Sequence, residues 1–378
     1  MHPHESVCLS LLKTGLWNRS FEFDKLFKDW DGVIKVAKVQ SVLGVVGSVL
    51  VNTDSLDVPA DVRSKLRTFV MRNVLISNNL ENGLVKVINV LRDNGIEAVL
   101  LKGQGNARYY PMPELRQCGD VDLYVGQDNY EKAYDVLKTE VATDIDEKES
   151  LVRGKHFHMS YGPVRYDIHR FTGLYSLPGY NRLYQEESLK GLQGRLIRLD
   201  FRDVAVYTPS LEYNAYYIFN HLFNHFMVSG IGLRHLCDLM MFLHSNYSRM
   251  DHVELKRILE KMDMLYPWQV FGGVLVKELG MSRYEFPFYA DIDDKTSRKV
   301  LRRILDEGNF GYETDYYKRH RGSYMKRKFN SLKWYTLRSW NLFSLFPKQA
   351  IRNLGNSMAL GISIVAKDIK KTFGRNDD

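Results

Sequence analysis

The chain has 378 residues, 44% hydrophobic and 26% charged, with a net charge of +8; this excludes a disordered or fibrous protein and fits a soluble globular chain of about two domains. No run of about 18 apolar residues occurs, which argues against a transmembrane span, and Cys8, Cys118 and Cys237 have no zinc spacing and suit a reducing compartment. The charge is uneven, since residues 318–378 carry 14 Lys and Arg against 3 Asp and Glu.

The N-terminus, Met-His-Pro-His-Glu-Ser-Val-Cys-Leu, lacks the basic start of a secretory signal, so a cytoplasmic protein is expected. Helices are predicted through the first ninety residues. Leu9, Leu11, Leu12 and Leu16 open an apolar pattern, and Ile34, Val36, Val39 and Val42 to Val51 continue it. Asn73 to Asp93 carries Leu75, Leu80, Leu84, Val87, Ile88 and Leu91 near a 3.6-residue period and stops at Asp93-Asn94-Gly95.

Ile96 to Leu101 predicts a short buried strand running into Lys102-Gly103-Gln104-Gly105, a glycine-containing turn whose amides can approach a phosphate. Tyr109-Tyr110-Pro111-Met112-Pro113 then breaks the chain. In Leu115 to Val125, the residues Val121, Leu123 and Val125 alternate with Asp120, Asp122 and Tyr124, so a strand puts both acids on one face. Two like charges that close call for a cation, and hard carboxylate oxygens suit Mg²⁺ or Mn²⁺. Tyr130 to Lys138 predicts a helix packed back on a sheet. His156 to Tyr161 and Val164 to His169 predict a hairpin turning at Gly162-Pro163, with Asp167 on its second strand.

From Thr208 the period is helical again. Thr208-Pro209 reads as the N-cap and first position of a long aromatic helix, with Glu212 in its first turn. It runs to about Met227, breaks at Ser229-Gly230-Ile231-Gly232, and is followed by helices over Leu233 to His244 and Val253 to Leu279; Tyr312 to Tyr317 and the basic run behind it read as a linker or exposed arm. The expected fold is α/β (α+β): a small mixed-sheet core over residues 96–207, an N-terminal helical region over 1–95, a C-terminal helical domain over 208–311 and a basic aromatic tail over 312–378.

The chemistry centres on Asp120, Asp122 and Asp167. Nucleotidyl transfer suits such a trio, because two cations about 3.5–4 Å apart neutralise a triphosphate and activate the attacking hydroxyl. Asp120 and Asp122 would bridge the metals, and Asp167 would hold the second and accept the hydroxyl proton. Strand-end acids in turns are the plainer explanation of a D-x-D pair. Arg116 could reach phosphate through its planar fork or pair with a surface acid such as Glu114. His169, on the Asp167 face, could position or deprotonate an acceptor or be a satisfied half-buried histidine. His221 and His225 stand i, i+4 on the aromatic helix; with no intervening Glu of an H-E-x-x-H motif, packing is preferred to zinc, and a place lining the nucleotide pocket stays open. Arg234 and Asp238 read as a helix pair, or Arg234 as a substrate contact.

The stretches Leu100-Leu101-Lys102-Gly103, Leu115 to Val125 and Tyr166-Asp167-Ile168-His169-Arg170 resemble the bacterial family of uncharacterised nucleotidyltransferases often associated with surface-polysaccharide loci, within the DNA polymerase β-like nucleotidyltransferase superfamily. The resemblance extends through His221 to His225, Gly230 to Arg234, Asp238-Leu239, Pro267 to Gly272 and Glu307 to Gly311. It implies that Asp120 and Asp122 are the metal pair, Asp167 the third carboxylate, and a nucleoside triphosphate such as ATP the donor to an unidentified acceptor. The wider superfamily usually has Gly-Ser about ten residues before the first acid. This chain has Lys102-Gly103 and a longer gap, so Lys102 or the amides of Gly103 to Gly105 would have to grip the triphosphate.

Two rivals stand beside this reading: a nucleotide-binding scaffold or sensor without catalysis, and a D-x-D glycosyltransferase using a nucleotide sugar. The tail, with Lys326-Arg327-Lys328, Trp334, Tyr335, Trp340, Phe343 and Phe346, interleaves basic and aromatic residues. That pattern suits peripheral contact with an anionic inner-membrane surface better than nucleic acid, or else a basic helix packed on its own protein.

Overall fold

The computed structural model describes residues 1–19, 27–147, 154–314 and 324–359. Four helices open the chain: α1 (Pro3–Trp17), α2 (Trp30–Val39), α3 (Leu43–Asn52) and α4 (Ala60–Asp93). The last is longer than its periodic segment. Leu80, Leu84, Val87, Ile88 and Leu91 are buried as expected, but Leu75 is exposed, because the sheet lies only under the C-terminal half of α4.

The middle of the chain supplies a seven-stranded mixed sheet in the order β3-β4-β5-β2-β1-β7-β6. Its members are β1 (Val99–Leu100), β2 (Asp120–Tyr124), β3 (Asp144–Ile145), β4 (His156–Tyr161), β5 (Val164–His169), β6 (Ile197–Phe201) and β7 (Val204–Thr208). Short α5 (Gln104–Ala107) follows β1, α6 (Gly126–Glu140) crosses between β2 and β3, and α7 (Pro178–Gln193) leads into β6. The mixed α/β class holds, with a larger sheet than the motifs alone suggest. Period two sends Val121, Leu123, Phe157, Met159, Tyr166 and Ile168 to one face, where α4 and α6 cover them in a single apolar cluster. Polar side chains of the same strands are left on the other face.

Helices α8 (Leu211–Val228), α9 (Leu233–Asn246), α10 (His252–Lys261), α11 (Leu265–Lys277) and α12 (Asp294–Glu307) complete the globule. Thr208 is not the cap of α8. It ends β7 opposite Ile197, and α8 starts at Leu211 with Ser210 in the extended cap position; strand pairing outweighs the local Thr-Pro preference. Buried side chains of α1–α3 and of α8–α12 belong to one continuous apolar cluster, so helices from both ends of the chain share a core.

The tail is divided. Residues 315–323 of the expected linker and basic run lie outside the described residues, as do 360–378. Helix α13 (Tyr324–Phe343) packs on α8: Trp334 donates to the Val228 carbonyl, Arg338 is buried against Glu307, and Leu342 and Phe346 join the core. Its opposite side leaves Leu337, Trp340 and Phe343 exposed.

The N-terminal helices also hold the approach to β2. Asn73 Nδ2 donates to the Glu114 carbonyl at 2.6 Å, the Gly44 amide reaches Gln117 Oε1, and a Cβ on Gly44 would sit 2.1 Å from the Leu115 carbonyl oxygen. Gly44→Ala is therefore expected to destabilise the protein by about 1–3 kcal/mol through overpacking against backbone. Gly179→Ala, in the first turn of α7 where a methyl meets nothing within 4 Å, should leave the urea midpoint unchanged or raise it slightly; equal midpoints for both variants would contradict the close approach.

Candidate active site

Strand register builds the polar face. β2 and β5 are parallel with Asp122 beside Asp167 and Tyr124 beside His169, and β4 is antiparallel to β5 with His158 beside Asp167 and His156 beside His169. Side chains two residues apart share a face, so Asp120, Asp122, Asp167, His169, His156 and His158 stand together. The three expected acids are thus on adjacent strands of one surface. Sequence alone does not single out His156 and His158; the signal available is His-x-His within an alternating strand, which puts both imidazoles on the face of Asp167.

Asp122 is the buried centre, at 1% exposure. Lys102 Nζ lies 2.9 Å from its Oδ1, and His169 Nε2 lies 2.9 Å from the same oxygen. An ionised carboxylate only accepts, so the His169 nitrogen there carries the proton. Burial opposes ionisation of Asp122, yet the Lys102 ammonium and the His169 hydrogen bond hold its carboxyl far below the usual range. Burial and the neighbouring Asp122 raise the pKa of Asp120, partly offset by Lys102. Although burial works against charge on Lys102, Asp122 raises its pKa.

His156 and His169 are held neutral. Burial, then the neighbouring His169 and Lys155, push His156 down to about 3, and burial lowers His169 despite its bond to Asp122. His158 Nδ1 meets Asp167 Oδ1 at 2.6 Å, and His156 Nε2 is 4.0 Å from Asp167 Oδ2. Among the described residues, two groups of side chains each offer metal-ligand atoms within 4.8 Å of one another: Asp122, Asp167 and His169, and His156, His158 and Asp167. Oxygen and imidazole donors gathered in this way fit a divalent metal.

The other expected contacts distribute unevenly. Gly103, at φ +56°, is pressed against the Asp120 backbone, where a Cβ would lie 3.2 Å from its carbonyl oxygen. Gly105 faces Leu100 and Thr208, and its amide donates to the Lys102 carbonyl, so that amide is not offered to a phosphate. Arg116 takes a different role from a phosphate fork. It is buried, and its Nε and Nη2 both donate to Asp238 at 2.7 Å, while Tyr110 donates to the same carboxylate. Asp238 consequently pairs with Arg116 rather than with its helix neighbour Arg234.

Arg234 instead donates to the Gln117 carbonyl at 2.9 Å, and its charge bears on Asp120. His221 and His225 meet edge to face at 4.5 Å with His235 beside them. Burial holds His221 and His225 neutral, and the nearby Lys102 adds to the effect. They therefore belong to the wall near Lys102, not to either group of metal-ligand atoms.

A family model described as "Uncharacterised nucleotidyltransferase" matches residues 28–280, a span that contains every residue of this face. The chain belongs to that family. Among solved structures, an antigenic nucleotidyltransferase-like protein from Paracoccidioides brasiliensis matches over 54% of this chain and 94% of its own, at 14% identity and a TM-score of 0.34. No curated protein matches. Membership in a nucleotidyltransferase family makes transferase chemistry with a nucleotide substrate the frame for the acidic face.

Lys102→Met tests the electrostatics. Asp122 has a depressed folded pKa, so its stabilisation is present above the unfolded carboxylate range and lost as pH falls. The variant should lose about 2–3 kcal/mol at pH 7, less than the ~3–5 of a fully buried broken pair because His169 still donates. The deficit against wild type should narrow below about pH 4, where the unpaired Asp122 is protonated. Urea unfolding across pH measures this, and a pH-independent deficit would refute the assignment.

Proposed function

We propose that the protein is a divalent-metal-dependent nucleotidyltransferase that moves a nucleoside monophosphate from a nucleoside triphosphate to an acceptor hydroxyl. The observation that carries the reading is the pairing of Asp122 with Asp167 on adjacent parallel strands, with Asp120 on the same face. Asp120, Asp122 and Asp167 would hold Mg²⁺ or Mn²⁺, with His169 fixing Asp122. The metal would supply charge neutralisation at the phosphates and acidify the attacking hydroxyl. The hydroxyl oxygen forms a bond to the α-phosphorus, the bond to the β-phosphate oxygen breaks, and pyrophosphate leaves. Asp167, set beside Asp122 by the strand register, would hold the second metal and receive the hydroxyl proton. Lys102 and Arg234 would meet phosphate. The resemblance to bacterial enzymes of surface-polysaccharide loci, in the DNA polymerase β-like superfamily, supports a sugar or glycan acceptor.

One observation favours a second reading, a nucleotide-binding scaffold: Lys102 and His169 already neutralise Asp122. Incubation with each of four labelled triphosphates, Mg²⁺ or Mn²⁺ and host extract separates the two. A labelled product supports transfer, and bound triphosphate without product supports the scaffold. Binding of a nucleotide sugar but no triphosphate would turn the assignment to a glycosyltransferase. Asp120→Asn should lower transfer by about 10²–10⁴-fold, the several kcal/mol of transition-state charge stabilisation that a misheld metal ion forfeits, with its circular dichroism unchanged; full activity in that variant would end the proposal.

For the tail, peripheral contact with an anionic membrane is supported by the exposed side of α13, where Trp340 is 78% and Leu337 53% exposed and the basic, exposed Lys333 lies one helical turn before Leu337. No helix among the described residues is long and apolar enough to cross a membrane, and a cytoplasmic location remains part of this proposal. Because Leu342 and Phe346 are core residues, removing the whole tail would unfold rather than test. Trp340→Glu with Phe343→Glu should abolish sedimentation with phosphatidylserine vesicles while preserving the melting temperature, and retained sedimentation would reject α13 as the contact.

A further inference from the structure

We infer that His156, His158 and Asp167 form a transition-metal position on the site face, selective for ions such as Mn²⁺ over Mg²⁺. Its catalytic use rests on the transfer reading above, whereas the binding itself does not. His156 and His158 are two residues apart on β4, so they project from the same face, and the antiparallel register sets His158 directly beside Asp167. All three offer a ligand atom within 4.8 Å of the others. Their side chains are 19%, 39% and 14% exposed, which makes them reachable by an ion from solvent.

The donor set decides the ion. Mg²⁺ holds its water tightly and takes oxygen ligands, whereas imidazole nitrogen favours first-row transition metals. Two imidazoles and one carboxylate also leave coordination positions for water or a phosphate oxygen, as in open catalytic sites. The contrast with Asp122 is informative. Asp122 is held by the Lys102 ammonium, which an incoming ion must displace. Asp167 is held by His158 Nδ1 at 2.6 Å and faces the exposed Arg165 only at 3.8 Å. Asp167 also belongs to the group with Asp122 and His169, which makes it the carboxylate common to both positions.

The test uses the full chain stripped of metal and free of nucleotide. Mn²⁺ is titrated while its free-ion electron paramagnetic resonance signal is followed, and pulsed measurements look for nitrogen coupling. The expected result is bound Mn²⁺ with imidazole nitrogen coupling that survives a roughly tenfold excess of Mg²⁺. His158→Ala should weaken Mn²⁺ binding by about tenfold or more, since loss of even an outer-shell partner commonly costs that much. Asp120→Asn should leave the nitrogen coupling in place. His158→Gln, checked by circular dichroism, substitutes should the alanine variant misfold. Absence of Mn²⁺ binding, binding without nitrogen coupling, or an undiminished affinity in the His158 variants would overturn the inference. The two proposals fail separately: nitrogen-coupled Mn²⁺ in a chain that transfers no nucleotide removes only the transfer reading, and transfer without nitrogen coupling removes only this one.

Discussion

A carboxylate at 1% exposure is the constraint on which the centre of this protein depends. Placing the Asp122 charge out of water is tolerable only if cationic or hydrogen-bonding partners meet it at close range. Lys102 arrives from the end of β1 and His169 from β5, so the strands on both sides of β2 are committed to one oxygen atom. The same solution recurs at the approach to β2, where Arg116 and Tyr110 converge on Asp238 of α9. Two buried charge pairs thus bracket the strand that carries the acids. One ties it into the sheet and the other ties its leading loop to the helical core.

Much of this was legible where the chemistry is local. Alternation in Val121 to Val125 places Asp120 and Asp122 together, and Gly162-Pro163 marks the turn of the hairpin whose second strand carries Asp167. Asn94-Gly95 marks the end of α4. What escaped has particular causes. β6 and β7 are joined at Arg202-Asp203, where both residues adopt positive φ, at 46° and 68°, yet neither is the Gly or Asn that usually signals such a turn. Alternating Ile197, Leu199 and Phe201 were the remaining signal. The Arg116–Asp238 pair spans 122 positions, and no local pattern distinguishes a buried partner that distant from a solvated charge.

The tail shows how composition misleads without placement. Its basic and aromatic residues are shared between two opposite surfaces of α13. Arg338 is enclosed against Glu307 and the backbone at the end of α8, while Trp340, two positions on, faces solvent. A helix advances 100° per residue, so neighbours in such a run can serve the core and the exterior in turn.

The strand order carries a consequence for how the chain is made. β1 has its antiparallel partner β2 soon after it, but its other neighbour is β7, paired in parallel at Val99 and Tyr207. During synthesis, one edge of the nascent sheet therefore stays open, with backbone donors and acceptors unpaired, until roughly a hundred further residues have emerged. Closing such a long loop is slow because its entropy must be lost before the pairing is gained. Lys102 follows that open edge directly. The strand that leads into Lys102 thus gains its second neighbour only when β7 arrives, which leaves β1 with one open edge while the ribosome is still at work.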